Sequence, residues 1–338
     1  MEQMAMEKAH VAVLMGGVSS EHDVSLRSGA NAVAALEDKG YKVTPITVTK
    51  DGAWRFSGHH AENVGEGLAR LIKDKVDCVF IALHGPFGED GRVQGLFDLA
   101  GIPYTGSGHC ASAVAMDKVR SKAVVEQAGV RVARQILLKP GNAAELAARV
   151  GAAVGYPCVL KSPCQGSSLG MAIPKDEAEC RQALPELFEL DTLVMAEEFI
   201  AGPEVTCGVL DVEVAGPRAL PVTEIRPVSS EFFDYHAKYT PGACREITPA
   251  EISEEAARRV QAVAVRVHEV IGCRGFSRSD MILVDDEPVW LEVNTIPGMT
   301  ETSLLPQAAA LVGVSLGDLV GMLVESAVGR RAANVVSR

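Results

Sequence analysis

The sequence predicts an α/β protein of two or three domains that opens on a parallel β-sheet. Three observations carry this. The chain has 338 residues, more than one hydrophobic core usually supports. Apolar residues make up 47% of it, enough to fill that many cores. Strand and helix patterns alternate through the first hundred residues, the order of βαβ units, which place parallel strands side by side and ligand sites at strand ends.

Taken in order, residues 10–15 are a short apolar run ending at Gly16-Gly17 and read as the first strand. Ser19 and Ser20 can then cap a helix that runs to about Lys39. Residues 42–48 read as a second strand and 78–83 as a third, followed by a Gly-rich loop and a helix near 93–100. Residues 101–108 are turn-rich, and a helix carrying Lys118 is expected from 110 to about 128. Next come a helix, a strand over 157–161, a loop, a strand over 169–173, a helix and a strand over 192–199. A strand-rich stretch reaches Ala250, a long helix covers 251–271, two strands flank Asp285-Asp286, and two helices follow. Domain cuts near 115 and 205 give the units 1–115, 116–205 and 206–338. There is no internal repeat.

Composition excludes several functions. A net charge of −12 sets the chain against phosphate backbones, so nucleic acid is not an expected partner. A mononucleotide remains open to it, because a few phosphates need only a local cluster of cations, dipoles and metal. The eight cysteines include no Cys-x-x-Cys pair, and most sit in apolar runs. Buried reduced thiols are expected, not a zinc site or a disulfide framework. The first nine residues are polar and carry both charge signs, unlike an export signal, and no apolar run reaches the length of a bilayer span. The cytoplasm is the expected location, and a membrane is not an expected partner.

Four stretches carry chemistry. Gly16-Gly17-Val18-Ser19-Ser20-Glu21-His22-Asp23 follows the first strand. Asp23 reads as a dipole partner of the helix that starts there. Glu21 sits at the strand-to-helix switch, where a carboxylate suits a substrate ammonium. His84-Gly85-Pro86-Phe87-Gly88-Glu89-Asp90-Gly91 follows another strand. A flexible connection would share that composition, but both loops leave strands of one sheet and should line one edge. Lys161-Ser162-Pro163-Cys164-Gln165-Gly166-Ser167-Ser168-Leu169-Gly170 reads as a hairpin able to fold over phosphates, though a plain surface hairpin would look similar. It lacks the Gly-Lys-Ser/Thr ending of a P-loop. The strongest cluster pairs Arg278-Ser279-Asp280 with 291–298. Strand alternation puts Arg278 and Asp280 on one face, and Glu292 and Asn294 on one face. A turn at Asp285-Asp286 would lay the strands side by side, so that Asp280, Glu292 and Asn294 converge as oxygen ligands of the kind magnesium prefers. Glu292 lies between Leu291 and Val293 in a strand that otherwise reads as core, so its charge needs a partner.

These pieces occur in one order, from Gly16 to Thr300, over nearly the whole chain. Gly-Gly-x-Ser-Ser-Glu-His-Asp-Val-Ser, His-Gly-x-x-Gly-Glu-Asp-Gly, Pro-Tyr-Thr-Gly-Ser, Met-Asp-Lys, Gly-Ser-Ser-x-Gly-Met, Asp-Tyr-x-Ala-Lys-Tyr and Glu-Val-Asn-Thr-x-Pro-Gly-Met-Thr resemble the D-alanine–D-alanine ligases. The resemblance implies an ATP-grasp fold of three α/β domains with ATP between the central and C-terminal ones. It implies ADP-forming ligation of two D-alanines through an acyl phosphate, for peptidoglycan precursors, by a homodimer. Lys118, Lys161 and Lys238 resemble nucleotide phosphate lysines, the last on a mobile loop. Glu197 and Glu204 resemble adenosine contacts. Asp280, Glu292 and Asn294 resemble the ligands of two magnesium ions, which manganese can replace. Glu21 matches the residue that holds the first D-alanine ammonium, with His84 near that amino acid's carboxylate. Ser167 and Tyr239 match a hydrogen-bonded pair that works with Glu21. Arg278 and the Gly298 amide match the oxyanion donors, and Ser303 matches a contact to the second carboxylate. Residues 228–246 read as a lid. Two departures are local: Ser162 intervenes between Lys161 and Pro163, and Ser279 stands where an apolar residue is frequent. Relatives that make D-alanyl-D-lactate or D-alanyl-D-serine are the alternative, and a nucleotide-binding protein without ligase activity is a farther one.

Overall fold

The computed structural model describes residues 8–164, 170–212, 214–227 and 244–336. Ser167, Lys238 and Tyr239 lie outside the described residues, as does most of the expected lid. Among the described residues the chain forms three sheets, each with its own helices.

The first sheet has the order β4-β3-β2-β1-β5, built from β1 (His10–Gly16), β2 (Lys42–Val48), β3 (Trp54–Phe56), β4 (Ala61–Glu62) and β5 (Cys78–Ile81). Strand β1 is buried along its whole length and runs parallel to β2 on one side and β5 on the other. This is the predicted parallel sheet. The antiparallel extension β3-β4 has no counterpart in the prediction. Helices α1 (His22–Asp38), α2 (Val64–Lys73) and α3 (Arg92–Ala100) belong to the same unit. The N-cap of α1 is Glu21, not Ser19 or Ser20. The Ser19 hydroxyl is used elsewhere: it donates to the carbonyl of His84 at 2.7 Å.

The helix expected from 110 to 128 is two helices, α4 (His109–Met116) and α5 (Lys118–Gln127). Asp117 is extended between them and accepts from the Arg120 amide at 3.0 Å, which caps α5. The cap resets the helix axis just before Lys118. The second sheet, β6-β9-β7-β8, is antiparallel throughout and holds β6 (Gln135–Leu138), β7 (Cys158–Lys161), β8 (Met171–Ala172) and β9 (Val194–Glu198). Helices α6 (Ala143–Ala153) and α7 (Glu177–Leu190) cover it and form a core with it that includes Leu146, Leu160 and Leu184.

The third sheet runs β13-β12-β10-β14-β15, with β11 on β10. Its strands are β10 (Glu204–Asp211), β11 (Arg218–Ala219), β12 (Thr223–Pro227), β13 (Cys244–Ile247), β14 (Gly275–Val284) and β15 (Glu287–Asn294). Helix α8 (Glu254–Ile271) lies over it, capped by Ser253, with Val260, Ala264 and Val267 buried. Asp285 and Asp286 both have positive φ, which suits the two-residue hairpin between β14 and β15. Helices α9 (Leu304–Leu311) and α10 (Leu316–Val336) then return to the first sheet. There Leu319, Val320 and Leu323 share a core with β1 and β5.

Five of the eight cysteines are buried and all eight are reduced, as expected for most of them, while Cys110 and Cys164, which lie outside the apolar runs, are exposed. Buried Ser279 is satisfied by the Trp290 indole, which donates to its hydroxyl at 3.3 Å, so the polar residue at this core position has a partner. No single helix among the described residues is long and apolar enough to cross a membrane.

Candidate active site

Strands β1 and β5 are parallel neighbours, so the loops that follow them leave the same sheet edge. They are tied together. The Ser19 hydroxyl bridges them by donating to the His84 carbonyl and accepting from the Glu21 amide at 3.2 Å. Glu21 lies against Gly85, where a Cβ would come within 2.8 Å of its Oε2, and the φ of +71° at Gly85 also favours glycine. The buried His84 ring meets the Ser28 hydroxyl at 2.9 Å, and Ser28 Oγ accepts from the Met299 amide at 3.3 Å. Glu89 fastens the same loop further: its carboxylate accepts from the Gly85 amide at 2.8 Å and from the Ile296 amide at 3.0 Å. The 84–91 loop is thereby docked on the segment after β15. On that segment Gly298 sits close to Ser303, with 2.7 Å between a would-be Cβ and Ser303 Oγ.

The β14–β15 pair brings the charged cluster together as expected, with Arg278 opposite Asn294 and Asp280 opposite Glu292, a register reached through a bulge between Asp280 and Met281. Asp280 is its hub. The Arg278 guanidinium donates to both its oxygens, at 3.0 and 2.9 Å, the Asn294 amide donates at 3.0 Å, and the Thr206 hydroxyl at 2.6 Å. Glu292 finds the partner its strand position required: Lys118 at 3.0 Å. Burial works against the Arg278 charge, yet Asp280, with Glu292 and Glu89 beyond it, holds the guanidinium firmly protonated. Burial likewise opposes the Lys118 charge, and Glu292 outweighs it and raises the ammonium pKa. Two carboxylates and an amide oxygen side by side form an all-oxygen donor set of the kind magnesium takes together with substrate phosphates. Among the described residues no three His, Cys, Asp or Glu side chains cluster into a metal-sized site.

Lys118 also links this cluster to the second sheet. Its amide donates to the Pro163 carbonyl at 3.1 Å, at the start of the loop after β7. One turn on, the Lys122 ammonium is fully buried and lies 2.5 Å from Glu197 Oε1, and Lys161 lies 2.5 Å from Glu197 Oε2. Glu204 stands half-buried at the head of β10, opposite Ile282 of β14. The sites foreseen at Lys118, Lys161, Glu197, Arg278, Asp280, Glu292 and Asn294 thus form a charged row of three ion pairs, Arg278–Asp280, Lys118–Glu292 and Lys161–Glu197, with Asn294 on Asp280, from the third sheet to the second. Glu21, His84, Gly298 and Ser303 flank the row on the first-sheet side.

Residues 10–107 match the family described as D-ala D-ala ligase N-terminus, and residues 124–325 match D-ala D-ala ligase C-terminus. The chain belongs to the D-alanine–D-alanine ligase family. It is 44% identical over 319 residues to a D-alanine–D-alanine ligase from Desulforudis audaxviator, an alignment that covers 94% of this chain and 98% of that one. The solved VanG D-Ala:D-Ser ligase from Enterococcus faecalis superposes with a TM-score of 0.80 at 34% identity, covering 95% of this chain and 99% of that chain. The D-alanine–D-alanine ligase from Bacillus anthracis complexed with ATP superposes with a TM-score of 0.77 at 32% identity, covering 96% and 99%. The ATP-grasp fold of the ligases is therefore the fold of this chain.

Sequence reasoning missed three members of this ligase site. Glu89 was visible in a quoted motif, but nothing local says that a loop carboxylate clamps two segments 207 residues apart. Thr206 and Lys122 look like ordinary strand and helix residues until their partners arrive from other elements. The Lys122–Glu197–Lys161 cluster has a measurable consequence. Burial pushes the Glu197 carboxyl up, but Lys161 and Lys122 together pull it from 4.5 down to about 2. A carboxyl depressed in the folded state stabilises above its unfolded pKa, and that stability is lost as pH falls through the folded value. The shift corresponds to roughly 3 kcal/mol, lost between about pH 4.5 and 2. The difference in unfolding free energy between the native chain and Glu197→Gln, from urea titrations, should shrink by roughly half between pH 5 and pH 3. A difference that does not change with pH would mean that Glu197 is not ionised in this pair.

Proposed function

We infer that the chain joins two D-alanine molecules to D-alanyl-D-alanine with cleavage of ATP to ADP, the step that supplies the dipeptide of peptidoglycan precursors. The observation that carries the reading is the charged row from Asp280 to Glu197, held beside the Glu21 and His84 loops by the Glu89 clamp. In the proposed division of labour, the first D-alanine places its ammonium at Glu21, with its carboxylate near His84. That carboxylate oxygen attacks the γ-phosphorus, ADP leaves, and the acyl carbon becomes electrophilic as an acyl phosphate. The second amine, having lost a proton, attacks the acyl carbon, and inorganic phosphate departs from the tetrahedral centre.

Lys118 and Lys161 neutralise the phosphates, and Glu197 and Glu204 hold the adenosine. Arg278 and the Gly298 amide face the oxyanion, where preorganised donors matter most. Ser303 takes the second carboxylate. Asp280, Glu292 and Asn294 would hold two magnesium ions, or manganese, which would supply positive charge to offset that of the phosphates. Ser167, Tyr239 and Lys238 keep the roles the family implies. The protein mainly positions and stabilises charge. The three sheets correspond in this proposal to working units near 1–115, 116–205 and 206–338, and the working form is a homodimer in the cytoplasm.

The test is ADP release from ATP and magnesium with a panel of D-amino and D-hydroxy acids, with products identified by mass. With D-alanine and D-lactate present equally at pH 7, the amide dipeptide should dominate. Mostly ester, or mostly D-alanyl-D-serine in the matching competition, would overturn the choice of second substrate. ATP binding without any ADP release would overturn the ligase reading.

A further inference from the structure

Lys122 is fully buried on α5, and the reaction outlined above gives it no task. A buried lysine is costly unless it is paired. Its partner is Glu197, itself 2% exposed. The two Glu197 oxygens differ. Oε2 meets Lys161, whose side chain keeps some access to solvent and which the proposed function sends to the phosphates. Oε1 meets Lys122 in an ion pair whose angle is poor for a hydrogen bond, so that buried oxygen accepts no hydrogen bond among the described residues. Once Lys161 turns to a bound nucleotide, Lys122 is the cation that remains on Glu197. Lys118, four residues earlier on α5, is engaged by Glu292.

We propose that Lys122 is a positioning residue that sets nucleotide specificity: its fixed ammonium keeps Glu197 acceptor-only, so the site takes a purine with an amino group at C6 and rejects one with a carbonyl there. The proposal rests on the reading that Glu197 faces the adenosine. A carboxylate accepts from a 6-amino group and meets a 6-oxo group lone pair to lone pair. A protonated carboxyl could donate to that oxygen instead. With Lys122 neutral, burial favours the protonated form and the discrimination collapses. Sites built to hydrogen-bond one group reject analogues strongly because a mismatch leaves buried polar atoms unpaired.

The experiment compares kcat/KM for ATP and ITP, which differ at C6 and in the N1 proton that accompanies the 6-oxo group, by nucleoside diphosphate release at saturating D-alanine. The native enzyme should prefer ATP by at least about tenfold. Lys122→Met should cut that preference at least about tenfold, acting through the nucleotide KM more than through kcat and leaving the D-alanine KM in place. Lys122→Arg should restore it. Glu197→Gln, whose amide can donate to the 6-oxygen, should also relax it with Lys122 intact. An unchanged ratio in either Lys122→Met or Glu197→Gln overturns the proposal. If Lys122→Met does not fold, the native enzyme decides: equal use of ITP and ATP sinks the proposal without any variant. A native chain that releases no ADP from ATP and D-alanine overturns the underlying reading and this one together, whereas a working ligase with an unmoved ratio overturns this one alone.

Discussion

Asp280→Ala should lose on the order of a hundredfold or more in turnover and also unfold more easily. Two effects meet at this residue. Its oxygens belong to the proposed magnesium set, and they also hold the Arg278 guanidinium in a bidentate pair that is about nine-tenths buried on both sides. Removing one partner of such a pair leaves a buried charge uncompensated, which typically costs about 3 to 5 kcal/mol. The two effects separate in a double variant. Arg278→Met with Asp280→Ala should recover much of the stability in a urea titration and none of the activity. Glu292→Ala should match the loss of turnover with a smaller loss of stability, because the Glu292 side chain is 29% exposed against 11% for Asp280, so its pair with Lys118 is the better screened of the two. Near-native rates in both single variants at millimolar magnesium would falsify the metal assignment, whatever their stability.

Glu21→Gln should raise the concentration of D-alanine needed at the first site and leave the nucleotide KM almost unmoved. The substitution keeps the shape and removes the charge that faces an ammonium, a loss on the order of 2 to 4 kcal/mol for an ion pair in a closed site. Location sharpens this prediction. Glu21 is held by the loop after β1 and lies against Gly85, on the first-sheet side, whereas Lys118 begins α5 and Lys161 ends β7 of the second sheet. A variant in which ATP affinity falls and D-alanine affinity does not would move Glu21 out of the amino-acid site. Because Gly85 touches the same carboxylate, the shape-preserving amide is the right probe; a bulkier change would displace the loop.

How much of this was legible in the chain depends on the distance over which each signal acts. The two loops at the first sheet edge were, because βαβ alternation and glycine placement are local and fix which edge they share. The Arg278–Asn294 cluster was legible in part: alternation and an Asp-Asp turn lay the two strands side by side, but the turn alone would set Asp280 opposite Leu291, and the bulge between Asp280 and Met281 that brings it opposite Glu292 has no local signal. The break at Asp117 was missed although Asp is a good helix cap, since no glycine or proline marks the place and apolar residues continue on both sides. Lys122 was not legible at all. From α5 alone, lysines at 118 and 122 look like a solvated face, and only the arrival of Glu197, 75 positions later, turns one of them inward. Ser19 was read as a helix cap because local chemistry favours that, and the His84 carbonyl outcompeted it. The general cause is the same: side chains whose best partner lies on another element are priced by tertiary packing, which one segment does not contain.

The return of α10 to the first sheet bears on how the chain is made. Lys39 on the rim of α1 pairs with Asp318 at 2.5 Å, and Tyr41 donates to Glu325 at 2.9 Å, contacts that span 279 and 284 positions of sequence. Leu319, Val320 and Leu323 complete the core that β1 and β5 begin. During translation the earliest strands therefore emerge with one apolar flank unsealed, and they wait for a helix synthesised after both later sheets. At about 5 to 20 residues per second that wait is tens of seconds. The nascent chain is exposed throughout that interval, so holdase chaperones have their longest opportunity on the oldest part of the molecule.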